Sequence, residues 1–414
     1  MIPYGRQSID EDDIAAVAAA LRSDYLTTGP RVEAFEADLA QATGAAHAVV
    51  CNSGTAALYI AARALGLGPG DVAIVPSMTF LATASAPFLA GAEIVFADVD
   101  PDTGLMRPED LERAIAEARR RFPEGRLAAA FVVHLNGQCA DMPALKALCD
   151  ARDLFLVEDA CHALGGATRR ADEPEAAGRE ARVGDTRWSH LACFSFHPVK
   201  TIAMGEGGAV TTQDAALAEA LRLHRNHGMV RDPERWRHRD MGFDAGGEPN
   251  PWYYELETPG LNFRVPDVLC ALGSSQLKKL DRFVAGRAEV VAHYDRAIAG
   301  LAPAILGPAK VPWGRPAWHL FAARVDWATL GVERGAAMRL LRAQAVGTQV
   351  HYIPLHRQPF WERRYGRQDL SGAEAYYAAA LSLPLFAAME YADVGRVVQS
   401  LEKLSAGAAQ PRSP

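Results

Sequence analysis

The chain has 414 residues, 49% of them hydrophobic, with 43 lysines and arginines against 50 aspartates and glutamates and a formal net charge of −7. That length can bury a large core and carries two or three domains' worth of chain, and the acid excess offers nothing to a nucleic-acid partner. No apolar run reaches the roughly 20 residues of a membrane-spanning helix, the acidic start lacks a signal-peptide pattern, and the six cysteines form no CxxC pair, so a cytoplasmic protein with reduced core thiols and no metal site is expected.

Two helices are expected first, over residues 10–22 and 31–42. From about 45 to 212 short apolar runs alternate with longer amphipathic segments. The runs at 47–50, 73–75, 94–97, 129–134 and 154–157 predict strands, and the segments 55–65, 107–121 and 142–152 predict helices. Strands that are apolar throughout and separated by helices argue for an α/β fold with a mostly parallel sheet covered on both faces. The polar, charged stretch 168–183 reads as an exposed loop, and 214–226 and 267–300 read as helices. A Pro/Gly-rich segment, 302–316, then leads to a smaller α/β region with strands near 319–326 and 347–353 and helices near 334–345 and 390–404. The division expected is a large domain over 1–284, a smaller C-terminal domain over 285–405 and a frayed tail over 406–414.

Chemistry concentrates at the strand ends. Lys200 lies in Phe194-Ser195-Phe196-His197-Pro198-Val199-Lys200, after an apolar strand and before the glycine-rich turn Gly205-Glu206-Gly207-Gly208. A lysine at the edge of a buried sheet has its pKa depressed, and only the neutral amine attacks a carbonyl. The strand ending at Val157 runs into Glu158-Asp159-Ala160-Cys161-His162, which carries Asp159 beyond the strand's carboxyl end, where open α/β sheets bind ligands. A carboxylate there can hold a heterocyclic nitrogen protonated, the arrangement pyridoxal phosphate chemistry needs, and His162 can lay its ring on the cofactor face. Cys51-Asn52-Ser53-Gly54-Thr55 joins a strand to a helix, so free N–H groups and the helix dipole favour a phosphate, with Ser195 as a second donor. Phe80, after the strand at 73–75, can cover the opposite ring face. Each feature has a plainer role when taken alone: helix caps for Asp159 and Ser53-Gly54-Thr55, a backbone-satisfied histidine for His162, a core phenylalanine for Phe80. Their convergence at the strand ends of one sheet favours the cofactor.

On these motifs the chain resembles the DegT/StrS family of pyridoxal-phosphate-dependent sugar-nucleotide aminotransferases over about residues 3–400. The resemblance implies the aspartate aminotransferase-like fold, with a mostly parallel seven-stranded sheet in the large domain. It implies the cofactor held covalently on Lys200, Asp159 at the pyridine nitrogen, and His162 and Phe80 on the ring faces. Gly54, Thr55 and Ser195 fall on phosphate-binding positions. Asn262, in Leu261-Asn262-Phe263-Arg264, matches a residue that reaches the phosphate from a neighbouring subunit, which implies a homodimer with shared active sites. Segments such as Leu26-Thr27-Thr28-Gly29-Pro30 and Gln349-Val350-His351-Tyr352-Ile353-Pro354 resemble the members that use L-glutamate to aminate C4 of UDP-4-keto-6-deoxy-N-acetyl-β-L-altrosamine in pseudaminic acid biosynthesis. Tyr4, His351 and Tyr352 are the expected sugar-nucleotide contacts. Amination of another keto sugar, at C3 or C4, stays open, as does a protein that binds the cofactor without turnover. Members that dehydrate sugars instead carry histidine at the lysine position, so Lys200 argues against that activity.

Overall fold

The computed structural model describes residues 1–169 and 180–408, the last four of these as backbone alone. The exposed loop expected over 168–183 therefore lies mostly outside the described residues, although its ends pair as an antiparallel ladder of Ala167–Thr168 with Ala181–Arg182. The expected tail lies outside them from residue 409, and the helix Tyr391–Ala408 runs through its first positions.

Seven strands form the main sheet in the order His47–Cys51, Gly208–Thr212, Leu191–Ser195, Phe155–Asp159, Arg126–Val133, Asp71–Pro76, Glu93–Ala97. The pairings from Leu191–Ser195 across to Glu93–Ala97 are parallel, and Gly208–Thr212 runs antiparallel to both its neighbours. Alternate side chains face opposite sides of a strand. Ile94 and Phe96 accordingly pack against the alanine-rich helices Gly54–Ala64 and Leu81–Ala90. Val95 and Ala97 pack on the other face against Pro108–Arg121 and Met142–Asp150. Burial on both faces is why these strands read as unbroken apolar runs.

A smaller antiparallel sheet orders Ile305–Leu306, Phe321–Val325 and Ala380–Leu383. The strand expected near 347–353 does not form. Gln349 makes one isolated bridge to Ser382, and the third strand is Ala380–Leu383. Alanines 378–380 carry helical propensity straight into that strand from the helix Ser371–Ala379, which hides its start. The single helix expected over 267–300 is two, Asp267–Leu277 and Leu280–Ala297. The boundary expected at 285 falls inside the second. Its Leu280, Phe283 and Val284 pack with residues of the main sheet, and its Val290, Val291 and Tyr294 pack beneath the smaller one. Among the described residues no helix is long and apolar enough to cross a membrane.

Candidate active site

The loops beyond the carboxyl ends of the parallel strands meet irregular segments of the C-terminal region around a cavity of about 610 Å³. Tyr4, Ser53, Gly54, Thr55, Phe80, Asp159, His162, Ser195, Lys200, His351 and Tyr352 all line it. The structure thus brings together every site residue expected from the sequence except Asn262. That residue sits on an exposed segment, bridged to Asn226, with its side chain accepting from the Arg264 N–H at 3.2 Å.

Asp159 ends its strand with a buried carboxylate. Thr83 Oγ1, from the helix Leu81–Ala90, donates to its Oδ2 at 2.6 Å, and the Cys161 N–H reaches Oδ1 at 3.2 Å. Thr79 Oγ1 lies 2.8 Å from Thr83 Oγ1, so a short hydroxyl chain orients the acid. A carboxylate held by donors of this kind stays an acceptor, ready to receive an N–H from a ligand ring.

Lys200 follows the Leu191–Ser195 strand in a turn where its N–H donates to His197 O at 2.8 Å. Burial lowers its amine pKa, opposed by the nearby Cys161 and Asp159 and reinforced by Arg287. The shift makes the nucleophilic form available closer to neutrality.

The Ser53-Gly54-Thr55 turn works as an anion cradle. Ser53 Oγ caps the helix by accepting from the Ala56 N–H at 3.1 Å, and Ser53, Gly54 and Thr55 line the cavity at this helix N-terminus, where free N–H groups favour an anion. A Cβ on Gly54 would lie 2.8 Å from Ser195 Cβ and 3.2 Å from Cys161 Sγ, so only glycine lets the two phosphate-side turns approach this closely.

An aromatic wall closes the opposite side. His162 Nε2 lies 3.0 Å from the Tyr352 hydroxyl, while its buried Nδ1 has no partner. Burial pushes the Tyr352 phenol well up and the His162 imidazole well down, so a neutral ring faces a protonated phenol that can donate to it. Phe80 is not a core residue: it is 52% exposed, at the mouth of the cavity, with its ring 5.9 Å from that of Tyr352. Tyr4 stands 5.5 Å from His351, whose Nδ1 pairs with Ser382 Oγ at 2.8 Å.

Sequence reasoning missed His319. Its ring lies 4.3 Å from that of His162, its Nδ1 is buried without a partner, and burial holds its pKa well down. A histidine in Ala317-Trp318-His319-Leu320-Phe321, at the mouth of an apolar strand, was the available signal. Thr83 was missed as well, because a threonine inside a helix reveals its target only once the neighbouring strand is placed.

A buried amine with a lowered pKa, an oriented acid, an anion cradle and an aromatic wall around one cavity define an enzyme that works through an aromatic aldehyde phosphate. The model of the DegT/DnrJ/EryC1/StrS aminotransferase family matches residues 7–402, and the chain belongs to that family. It is 36% identical over 410 residues to the spore coat polysaccharide biosynthesis protein SpsC of Bacillus subtilis (strain 168), spanning 98% of each chain. Helicobacter pylori PseC, an aminotransferase involved in pseudaminic acid biosynthesis, superposes with a TM-score of 0.84 at 28% identity, over 98% of this chain and 99% of that one. Streptococcus pneumoniae Spr1654 in its PMP form gives 0.83 at 27% identity, over 99% of this chain and 100% of that one. The protein is a sugar aminotransferase that uses pyridoxal phosphate, with a nucleotide sugar and an amino donor as substrates. The residues present fit the cofactor: the orphaned His162 Nδ1 and the cradle that a Gly54 Cβ would fill are both features a bound ring and phosphate explain.

Proposed function

We propose that this enzyme transfers the amino group of L-glutamate to C4 of UDP-4-keto-6-deoxy-N-acetyl-β-L-altrosamine, a step of pseudaminic acid biosynthesis, and that it does so as a homodimer. One observation carries the aminotransferase chemistry: Lys200, with a lowered amine pKa, and Asp159, held by Thr83, line the same cavity as the Ser53-Gly54-Thr55 turn. The likeness to PseC supports the choice of sugar.

Pyridoxal phosphate, when bound, would supply the electron sink that amino-group transfer between a donor and a keto carbon needs. Lys200 would hold the cofactor and, with its Nζ, would move a proton to or from the reacting carbon. Asp159 would hold the ring nitrogen in its protonated form. His162 and Phe80 would pack against the ring, and Ser53, Gly54, Thr55 and Ser195 would hold the phosphate, joined by Asn262 of the partner subunit. Tyr4, His351 and Tyr352 orient the sugar nucleotide. The 36% identity to SpsC favours, as a second reading, a different keto sugar destined for a polysaccharide.

The test is an absorbance titration of the loaded enzyme. L-glutamate should abolish the visible band of the lysine-bound cofactor, and the 4-keto sugar nucleotide should restore it. Lys200→Ala should lose turnover by about 10⁴-fold or more, since both attachment and proton transfer go with the amine. Bleaching by glutamate without recovery would replace the sugar by another. No response to any amino donor would end the aminotransferase reading of Lys200.

A further inference from the structure

Behind the cavity wall, Arg287 of the helix Leu280–Ala297 is almost fully buried, at 2% exposure. Among the described residues it has no carboxylate partner, and its Nε is unsatisfied. Its four recorded bonds all go to main-chain carbonyls. Nη1 donates to His319 O and Leu385 O, each at 3.2 Å. Nη2 donates to Lys200 O at 3.2 Å and Val199 O at 3.4 Å. Val199, Lys200 and His319 line the cavity, and the Leu385 N–H in turn donates to the carbonyl of Tyr4, another lining residue, at 3.0 Å.

A buried guanidinium without a counter-ion is costly to desolvate. A fold that needed only to fill this volume would be better served by methionine or leucine. What the arginine does that no apolar residue can is tie the turn carrying Lys200 to two chain segments of the smaller sheet region. A planar fork with donors on both terminal nitrogens reaches carbonyls on separate segments at once, which an ammonium on a single stem cannot do.

We propose that Arg287 is the positioning residue for Lys200: its clamp on four carbonyls fixes the lysine main chain against the His319 and Leu385 segments, so that Nζ returns to one place each time it leaves and rejoins the reacting centre. The inference rests on Lys200 being the residue that carries the cofactor. The uncompensated charge has a second effect. It stands behind the amine and opposes protonation, in the same direction as burial and against Asp159 and Cys161. The imidazoles of His162, His319 and His351 face the same space, and burial holds each of them toward the neutral form, so they add no fixed charge there.

Arg287→Met removes clamp and charge, and Arg287→Lys keeps the charge but not the clamp. Both should fold, bind the keto sugar with unchanged KM and lose about 100-fold in kcat, the cost of displacing a reacting group by about 1 Å. The second readout needs no turnover: apo-protein is mixed with pyridoxal phosphate at a series of pH values, reduced with borohydride, and the Lys200 peptide weighed. The pH midpoint of capture should rise in Arg287→Met and stay at the parent value in Arg287→Lys. Wild-type kcat in Arg287→Met, or restoration of kcat by Arg287→Lys, would overturn the clamp. So would failure of both variants to give a folded near-ultraviolet dichroism spectrum, since the residue would then serve the fold and not the lysine. Lys200→Ala is run alongside. Total capture, weighed on the intact protein, that is equal in Lys200→Ala and the parent would mean that the reading of Lys200 itself is wrong, whatever the arginine does.

Discussion

His351 shows how the wall of the cavity couples protonation to folding. Its ring is buried against Ser382 and Tyr4, and desolvation, with help from the Lys200 charge, takes its pKa down to about 4. The unfolded chain binds this proton near pH 6.5, whereas the folded chain refuses it until about pH 4. The contribution is therefore complete above pH 6.5 and is lost as pH falls through that window, by on the order of 3 kcal/mol if the whole difference is realised. His162 and His319 are shifted in the same direction by the same cause, so they steepen the loss. Urea unfolding should give a lower stability at pH 5 than at pH 7. His351→Gln should flatten that dependence, and a slope unchanged from the parent's would disprove the assignment. The same residues explain why two imidazoles, tilted at 47° with centroids 4.3 Å apart, are tolerated: burial holds both toward the neutral form, so they pack without charge repulsion.

Elements, and the joints between them, decide where these side chains stand. The start of the helix Gly54–Ala64 is squeezed from two directions. Ser195 approaches Gly54, and a Cβ on Gly208 would lie 2.3 Å from Ser53 O. Gly54→Ala should therefore cost about 1–3 kcal/mol through overpacking and weaken pyridoxal phosphate binding as well. Ser53→Ala should cost about 1 kcal/mol, the value of a helix cap. Chemical denaturation and equilibrium dialysis with the cofactor would measure both effects. Cofactor affinity unaltered in Gly54→Ala would mean that the phosphate lies elsewhere. The glycines and the Ser-Gly-Thr turn were legible in the sequence because strand, turn and helix are contiguous there. A second joint was not legible. Asp267 accepts from the N–H groups of Gly29 at 2.8 Å and Arg31 at 3.0 Å, anchoring the start of the helix Pro30–Thr43 from 236 or more residues away. Capping by a distant chain leaves no local pattern.

At the scale of the molecule, the parallel sheet could be read from its apolar strands, and the cavity from motifs that each end one of those strands. Arg287 could not. In the sequence it resembles Arg282 and Arg296 of the same amphipathic helix, and its burial depends on segments near residues 200, 319 and 385 meeting around it. Asn262 raises the remaining question of assembly, because within one chain it lies off the cavity. The segment around it exposes Trp252 at 73%, Tyr254, Leu256 at 65% and Leu261, an apolar surface that a solvated monomer would have little reason to keep. A second copy covering that surface is the expected occupant, bringing Asn262 of the partner subunit to the phosphate. Sedimentation should show a dimer, and Trp252→Asp should shift it toward monomer with loss of cofactor. Complementation is the sharper test. Lys200→Ala and Asn262→Ala are each expected to be inactive alone. In a mixed dimer one site joins an intact Lys200 to an intact Asn262 from the other chain, so random mixing should restore about a quarter of the parent activity. If Asn262 acted within its own chain, every mixed dimer would still carry one complete defect per site, and no activity would return.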